Sequence, residues 1–266
     1  MNSIELFAGI GGISLAAEWA GIETKAFCEI VPFNQKVLNK NFPDVPIFED
    51  VMKLNKRVLE EGGVNVGTIE LITGGFPCQP YSIAGNQQGK DDDRDLWPEM
   101  FRIVEEIQPR WVVGENVANF VNMELDRTLL DLESAGYDGK SFVVPASAVG
   151  ANHERYRVFI VAVKKEFLRN ANSQPKFQTD STFGSIRSEW ETWNDFTWQH
   201  RGIPSGSHWE THQPSVCRMD DGIPSELDKS RLIALGNAVV PQQIYPIFKA
   251  IVDIETGRKK QQEDDE

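Results

Sequence analysis

One cysteine of the chain stands in a setting that suits a nucleophile. Cys78 lies on a short turn between Pro77 and Pro80, just after an apolar run, residues 68–73, that predicts a buried strand. Thiolate is the reactive form of cysteine, and a partly exposed loop with nearby cations or amides lowers the pKa of a thiol enough to supply it. The alternative is a buried cysteine that packs as a small hydrophobe, which is the commoner role. The stiff turn favours the nucleophile.

A candidate acid follows another predicted strand. Residues 110–114 form an apolar run, and Glu115 comes directly after it. Since the carboxyl ends of neighbouring parallel strands share one edge of a sheet, Glu115 would lie beside the turn that carries Cys78. A glutamate after a strand is usually a helix cap or a solvated strand end. Only its pairing with Cys78 makes Glu115 a candidate for acid–base chemistry.

Two arginines, Arg155 and Arg157, occupy a segment for which we predict extended backbone. Side chains at i and i+2 of such a segment point to the same side, as cations that bind a phosphate or a base would need. The alternative is a surface ion pair with Glu154 or Glu115.

A glycine-rich turn near the amino end predicts a ligand of nucleotide type. Residues 3–7 read as a strand, Gly9, Gly11 and Gly12 form the turn, and a helix follows. Such a turn lets the backbone and the helix N-terminus approach a ligand. Glu29 ends the next predicted strand about 20 residues further on, where a carboxylate can bind ribose hydroxyls. Two alternatives are a purely steric role for the glycines and a nicotinamide oxidoreductase, which would rest on this turn alone.

The elements that would position these residues alternate between strand and helix patterns, which predicts an α/β fold with a parallel sheet. From residue 164 to residue 228 the sequence becomes polar, rich in tryptophan and punctuated by proline, which predicts a separate small irregular module. Its tryptophans could stack on bases, but a small module usually buries them in its own core. Residues 258–266 are charged and predict a disordered tail.

Composition excludes several classes of protein. The three cysteines lack a Cys-x-x-Cys pair, so we expect neither disulfides nor a cysteine zinc site. His208 and His212 would chelate a metal only on a helix, which Gly206 and Pro214 disfavour, so no metal is expected. No membrane span or signal peptide is evident. These features predict a soluble cytoplasmic protein.

The formal net charge of −13 is awkward for a protein that binds nucleic acid, because Lys and Arg neutralise phosphates. The charge is unevenly spread, however. Nine basic and ten acidic side chains lie between Lys164 and Arg231, so this segment is almost neutral and the acidic excess lies elsewhere. An almost neutral module can still bind DNA through one face, with modest affinity that falls with salt.

The run Gly-Phe-Pro-Cys-Gln-Pro-Tyr-Ser around Cys78 resembles the nucleophile motif of the DNA (cytosine-5) methyltransferases. Further motifs of that family follow in the family's order. They are Phe-Ala-Gly-Ile-Gly-Gly near the amino end, Glu-Asn-Val at Glu115, the arginine pair, where His153 replaces the family's glutamine, and residues 231–242. The resemblance covers the whole chain except the small module.

The resemblance implies a Rossmann-like sheet of the S-adenosylmethionine-dependent methyltransferases, with helices on both faces. Residues 1–163 would form the catalytic domain, residues 164–228 the target-recognition module, and residues 229–257 a return segment that completes the catalytic domain. The charged tail, residues 258–266, would follow.

The resemblance also implies roles for individual residues. Cys78, Glu115, Arg155 and Arg157 would be catalytic, Asp50 would accept from the adenine amino group of S-adenosylmethionine, and Asn237 would help to complete the cofactor pocket. The residues expected to contact the cofactor are Phe7, Ala8, Gly9, Gly11, Gly12, Glu29, Ile30, Asp50, Val51, Gly75, Pro77, Asn237 and Ala238.

The activity that the resemblance implies is methyl transfer to C5 of a flipped-out cytosine in a specific duplex DNA sequence, through a covalent cysteine adduct. Duplex DNA is the expected partner, and a companion restriction endonuclease is a candidate one. A monomer associated with the nucleoid of a prokaryote or a phage-infected cell is expected, without a metal or a membrane. The alternatives are a transfer RNA cytosine-5 methyltransferase and a non-catalytic DNA-binding relative.

Overall fold

Seven strands build one mixed sheet in the computed structural model, which describes residues 1–77, 95–172 and 225–264 of the 266 in the chain. The strands are β1 (Asn2–Leu6), β2 (Glu23–Cys28), β3 (Ile47–Phe48), β4 (Ile69–Gly74), β5 (Trp111–Val117), β6 (Tyr137–Val144) and β7 (Arg157–Lys164). Their order in the sheet is β3-β2-β1-β4-β5-β7-β6. Strands β3, β2, β1, β4 and β5 pair in parallel, whereas β7 is antiparallel to both β5 and β6.

Eight α-helices connect or flank the strands in the described residues. They are α1 (Gly12–Trp19), α2 (Pro32–Asn41), α3 (Lys56–Glu61), α4 (Trp97–Ile107), α5 (Leu125–Ser134), α6 (Lys165–Asn172), α7 (Ser225–Asn237) and α8 (Pro241–Asp264). Glycines stop two of them, because Gly21 after α1 and Gly136 after α5 both have left-handed backbone with φ near 85°. Pro32 and Pro98 open α2 and α4, where a missing N–H costs nothing.

Apolar side chains cover both faces of the sheet. On one face, β1, β4 and β5 pack against α4 and α5 through Ile4, Ile72, Val112, Met100 and Leu132. On the other face the sheet packs against α1 and α8, through the buried side chains Leu71, Trp111, Phe159, Ile13, Ala16, Ala17, Ile244, Phe248 and Ile251. Burying apolar surface on both faces is what makes near-continuous hydrophobic strands stable. The predicted α/β sheet with helices on both faces is confirmed.

The helix α8 is attached to the sheet by a buried carboxylate. Glu255 is 4% exposed. It accepts a hydrogen bond from Trp111 Nε1 at 2.8 Å and forms an ion pair with Arg110. Arg110 also lies 4.5 Å from the ring centroid of Phe167 in α6. These contacts join α8 to β5 and to α6.

Three local predictions differ from the structure. Strand β3 has only two residues, so Asp50 lies beyond the strand. Glu115 lies within β5 rather than after it, because the backbone pairing with β7 continues to Val117. The helix α8 continues to Asp264, whereas we predicted a disordered tail from residue 258.

Most of the predicted small module, residues 173–224, lies outside the described residues. The flanks of the segment 164–228 are described, and they are part of the sheet and its helices. Phe167 and Leu168 of α6 pack against the same apolar cluster as α1 and α8. The backbone N–H of Lys165 donates to the carbonyl of Gly136 at 2.9 Å.

Candidate active site

Glu115 is the centre of the candidate site. Its side chain is buried, with 8% of the residue exposed, at the edge of the sheet where the parallel strands end. Oε1 lies 2.8 Å from Nε of Arg157, the first residue of β7. Burial raises the pKa of Glu115 to about 7, and Arg157 and Arg155 oppose the rise. A carboxyl with a pKa close to neutrality can both donate and accept a proton at physiological pH.

The turn that leads to Cys78 begins against Glu115. Gly74 at the end of β4 pairs with Gly114 of β5, so the next residues of the two strands emerge side by side. A Cβ on Gly75 would lie 2.9 Å from Oε2 of Glu115. The chain at Gly75 therefore lies beside Glu115. Cys78 itself and residues 79–94 lie outside the described residues.

Phe76 anchors the start of the turn on the opposite face of β5. Its carbonyl accepts a hydrogen bond from Asn116 Nδ2 at 3.1 Å, and its buried ring lies 5.2 Å from that of Trp97 and 5.3 Å from that of Phe120. Trp97 opens α4, so this contact joins the two described ends of the chain around residues 78–94. Sequence reasoning missed Asn116, although an amide beside a catalytic candidate was a usable signal.

Cys28 offers a contrast with Cys78. It lies in β2, is 2% exposed, and burial raises the pKa of its thiol to about 12. A thiol with this pKa stays protonated and unreactive at neutral pH. Cys28 is therefore a small core residue and no candidate nucleophile.

The side chains of Arg155 and Arg157 contact different parts of the protein. Arg157 faces Glu115, whereas Nη2 of Arg155 donates to the carbonyls of Gly236 and Ala238, each at 2.6 Å. The backbone of Arg155 is not extended as expected, since its φ is 33°. Burial and the charge of Arg157 lower the pKa of Arg155, while Glu115 raises it. Both cations act electrostatically on Glu115, but only Arg157 pairs with it directly.

The glycine turn after β1 is bound to the carboxylate of Glu29. Gly9 and Gly11 have φ of 56° and 86°, and a non-glycine residue, Phe7, also has a positive φ of 55°. Glu29 Oε2 accepts from the backbone N–H of Gly9 at 2.6 Å, and Oε1 accepts from that of Val31 at 2.7 Å. The predicted ribose-binding acid therefore lies against the predicted cofactor turn.

The same edge of the sheet carries the remaining cofactor candidates. Asp50 accepts from the backbone N–H of Met52 at 3.0 Å, and the side chain of Ile30 is 69% exposed next to Glu29. Val51 is held in place by Arg102 of α4, whose Nη2 donates to the Val51 carbonyl at 3.0 Å. Arg102 was not found from the sequence, because a helical arginine gives no sign of the loop it contacts.

The return segment reaches the glycine turn. Asn237 ends α7 and Ala238 follows it. A Cβ on Gly12 would lie 2.7 Å from the carbonyl oxygen of Val239, so the segment passes directly over the start of α1. Asn237 and Ala238 directly precede Val239 in this segment.

A buried polar network lies beneath the turn. Glu5 of β1, 1% exposed, accepts a hydrogen bond from Ser14 of α1, whose Oγ lies 2.9 Å from Oγ1 of Thr24. Oε1 of Glu5 has no partner among the described residues. Burial raises the pKa of Glu5 to about 8, against the hydrogen bond from Ser14. An acid within an apolar strand was the missed sequence signal.

The described residues contain neither a cluster of metal ligands nor a membrane-spanning helix. Within residues 1–77, 95–172 and 225–264, no three His, Cys, Asp or Glu side chains are grouped as a metal site would require. In the same part of the chain, every helix is too short or too polar to span a lipid bilayer.

Known proteins resemble the chain in sequence. The protein-family model of the C-5 cytosine-specific DNA methylases matches residues 1–231 of the chain. The type II methyltransferase M.CviJI of Paramecium bursaria Chlorella virus IL3A is 31% identical over 254 residues, which are 94% of this chain and 59% of that protein. M.NgoMIV of Neisseria gonorrhoeae is 32% identical over 204 residues, 75% of this chain and 64% of that protein. The chain thus spans less than two thirds of the length of either relative.

Solved structures share the fold. A DNA modification methyltransferase encoded within an E. coli prophage superposes with a TM-score of 0.55 at 33% identity, over 63% of this chain and 47% of that one. A mutant of Spodoptera frugiperda DNMT2 superposes with a TM-score of 0.51 at 23% identity, over 61% of this chain and 50% of that one. Since the family model extends over the glycine turn, the strand of Glu115 and the arginine pair, the chain belongs to the C-5 cytosine-specific DNA methylase family.

Proposed function

We propose that the chain transfers a methyl group from S-adenosylmethionine to C5 of a cytosine in duplex DNA, through a covalent adduct with Cys78. The main support is the placement of Glu115. Its buried carboxyl has a pKa raised to about 7, pairs with Arg157 at 2.8 Å, and adjoins the turn that leads to Cys78. A reaction on a pyrimidine ring needs an acid close to its nucleophile, and the described part of the turn passes Glu115 at Gly75, three residues before Cys78.

The chemistry follows from the weak nucleophilicity of C5. The Cys78 thiolate adds to C6, and the electron pair of the C5–C6 double bond moves to C5, while Glu115 gives a proton to N3. C5 would then take the methyl group of bound S-adenosylmethionine, whose methyl–sulfur bond breaks to leave a neutral thioether. Loss of the C5 proton to a base restores the C5–C6 double bond and expels the thiolate, and N3 returns its proton to Glu115. Arg157 holds Glu115 in position and stabilises charge that develops on the ring.

The residues around the glycine turn fit a cofactor with a ribose and an adenine. A Cβ on Gly9 would meet no atom within 4 Å, so the turn faces open space. Glu29 and Asp50 supply carboxylate acceptors at its border, and Ile30 supplies exposed apolar surface. S-adenosylmethionine, when bound there, provides an electrophilic methyl group. These side chains and the return segment at Asn237 would hold it.

Access to the ring requires that the cytosine leave the base stack. C6 and N3 of a stacked, paired base are shielded, and extruding the base costs a few kcal/mol that contacts in the pocket must offset. The acidic chain would bind DNA through a local surface, so its affinity should fall with salt. Residues 164–228 are proposed to read the target sequence.

The names of the relatives suggest a biological setting. M.CviJI and M.NgoMIV are named type II methyltransferases. By analogy, we propose that this chain acts as a monomer and that its methylation protects DNA from a companion restriction endonuclease. It would act in the compartment that holds the DNA of the cell.

Two linked experiments test the function. Bisulfite sequencing of DNA from cells that express the protein should reveal 5-methylcytosine in one sequence context. A duplex of that sequence with 5-fluorocytosine at the target should then form a covalent complex with the protein and S-adenosylmethionine. The variant Cys78→Ala should form none, whereas Cys28→Ala, which changes the buried cysteine, should still form it. Methyl transfer by Cys78→Ala, or activity on transfer RNA instead of duplex DNA, would refute the proposal.

The role of Glu115 is tested separately by pH. The protonated carboxyl is the active form, so kcat/KM should fall as the pH rises through about 7. The variant Glu115→Gln should lose most of its activity together with this dependence. A matched control is Glu133→Gln, an exposed glutamate paired with Lys165, which should leave the profile unchanged. Full activity of Glu115→Gln would exclude the proton-donor role.

A further inference from the structure

Arg155 lies in the arginine pair but is directed toward the return segment. Its Nη2 donates to the carbonyls of Gly236 and Ala238, both at 2.6 Å. The positive φ of 33° at Arg155 is uncommon for a bulky residue and turns the chain at this point. Both carbonyls lie more than 80 residues further along the sequence, so the contact joins distant segments of the chain.

The backbone of Arg155 is part of a second contact to the same segment. Gln243, fully buried in the first turn of α8, donates through Nε2 to the carbonyl of Arg155 at 3.0 Å and to that of Val144 at 2.8 Å. Residues 236–243 are therefore bound to Arg155 twice, through its side chain and through its backbone carbonyl. Because the donor of the first contact is charged, that contact is among the stronger kinds of hydrogen bond.

The fixed segment is the part that covers the glycine turn. Val239 lies between the two contacts, and its carbonyl is so close to Gly12 that a Cβ there would be at 2.7 Å. Gly12 opens α1, directly after the turn at Gly9 and Gly11. A displacement of the segment would consequently alter the wall of the turn.

We propose that Arg155 is a positioning residue for the cofactor, which holds residues 236–243 over the glycine turn through the carbonyls of Gly236 and Ala238. This inference rests on the proposed function, since it takes S-adenosylmethionine as the ligand of the turn. It assigns the two neighbouring arginines to different substrates. Arg157 positions Glu115 for the cytosine, and Arg155 positions the return segment for the cofactor.

The test measures cofactor binding without DNA. Isothermal titration calorimetry with S-adenosylmethionine should show about tenfold weaker binding for Arg155→Met, which removes both charge-assisted hydrogen bonds to the segment. Arg155→Lys keeps a charged donor and should be intermediate. In steady-state assays, the KM for S-adenosylmethionine should rise in both variants while the KM for DNA stays constant.

Arg110→Met is the matched control. Arg110 also attaches α8 to the sheet, but through Glu255 near the other end of the helix. It should lower the stability of the fold and leave the affinity for S-adenosylmethionine unchanged, which separates general loosening of α8 from the local effect. Circular dichroism of each variant shows whether it folds, and Arg155→Lys serves if Arg155→Met does not.

Each outcome decides the inference. Unchanged cofactor affinity in folded Arg155 variants would overturn it, as would a rise confined to the KM for DNA, which would place Arg155 on a phosphate or a base. Equal weakening by Arg110→Met would show that any loosening of α8 suffices and would also overturn it. If the unsubstituted protein does not bind S-adenosylmethionine at all, the proposed function fails, and this inference fails with it.

Discussion

The variant Gly75→Ala tests the geometry of the site most directly. A Cβ at position 75 would lie 2.9 Å from Oε2 of Glu115. Ordinary contacts of a Cβ begin at 3.4 Å. The carboxylate cannot simply rotate away, because its other oxygen is paired with Arg157 at 2.8 Å. The added methyl group must therefore displace Glu115, the turn that leads to Cys78, or both.

The size of the effect can be worked out from this overlap. Crowding a packed site by one methyl group costs about 1–3 kcal/mol of folding free energy. A displacement of reacting groups by up to ~1 Å costs about 100-fold in rate. We therefore expect kcat for methyl transfer to fall by about 100-fold, with KM for DNA little changed. Transfer of radiolabelled methyl groups to duplex DNA and urea unfolding measure the two effects.

Gly257→Ala is the control for this prediction. A Cβ at Gly257 would meet no atom within 4 Å, and the residue lies within α8. This change should raise helix stability by about 0.5–1 kcal/mol and leave activity intact. If Gly75→Ala retained the normal kcat and stability, Glu115 and the cysteine turn would not be in contact in the working enzyme, and the acid would need another location.

Three more predictions concern buried polar groups. On folding, the pKa of Glu5 rises from 4.5 to about 8, so its contribution to stability is lost as the pH rises through this window. Glu5→Gln should flatten that part of the pH profile of urea unfolding. Glu255→Ala should cost about 1–3 kcal/mol in urea unfolding, because it leaves the N–H of buried Trp111 without its acceptor and removes one partner of half-buried Arg110, whereas exposed Asp253→Ala should cost under about 0.5 kcal/mol. Asn116→Leu, which removes the hydrogen bond to Phe76, should lower kcat and slow the cross-link to 5-fluorocytosine DNA without weakening DNA binding.

For each of these three variants, one result would contradict the contact on which the prediction depends. An unchanged pH profile in Glu5→Gln would mean that this carboxyl is ionised or solvated in the folded protein. Equal costs for Glu255→Ala and Asp253→Ala would mean that α8 does not depend on the buried carboxylate. A cross-linking rate that stays normal in Asn116→Leu would remove the anchor of the cysteine turn from the mechanism.

Local patterns predicted the elements and the edge of the sheet on which the site lies. Glycine and proline marked the ends of α1, α4 and α5, and apolar runs marked β4 and β5. The adjacency of Glu115 to the cysteine turn followed from one rule of parallel sheets. That rule needs no knowledge of individual side chains, which is why it could be applied to the sequence alone.

The contacts that hold the site could not be predicted in this way. Arg155 meets carbonyls 81 and 83 residues further along the chain, and Asn116 meets the carbonyl of Phe76, 40 residues earlier. Periodicity indicates which face a side chain occupies, but not which distant backbone group lies within its reach. The extended backbone predicted at Arg155 is wrong, since the chain turns there at a positive φ.

The antiparallel direction of β7 determines at which stage of folding Arg157 meets Glu115. Because β7 begins where β5 ends, with Arg157 opposite Val117, the guanidinium reaches Glu115 through strand pairing alone. A slip of one residue would send that guanidinium to the other side of the sheet. In the proposed mechanism, Glu115 therefore lacks its paired cation until β7 has paired with β5 in the correct register. Newly made chains with a misaligned β7 would then be inactive on DNA rather than partly active.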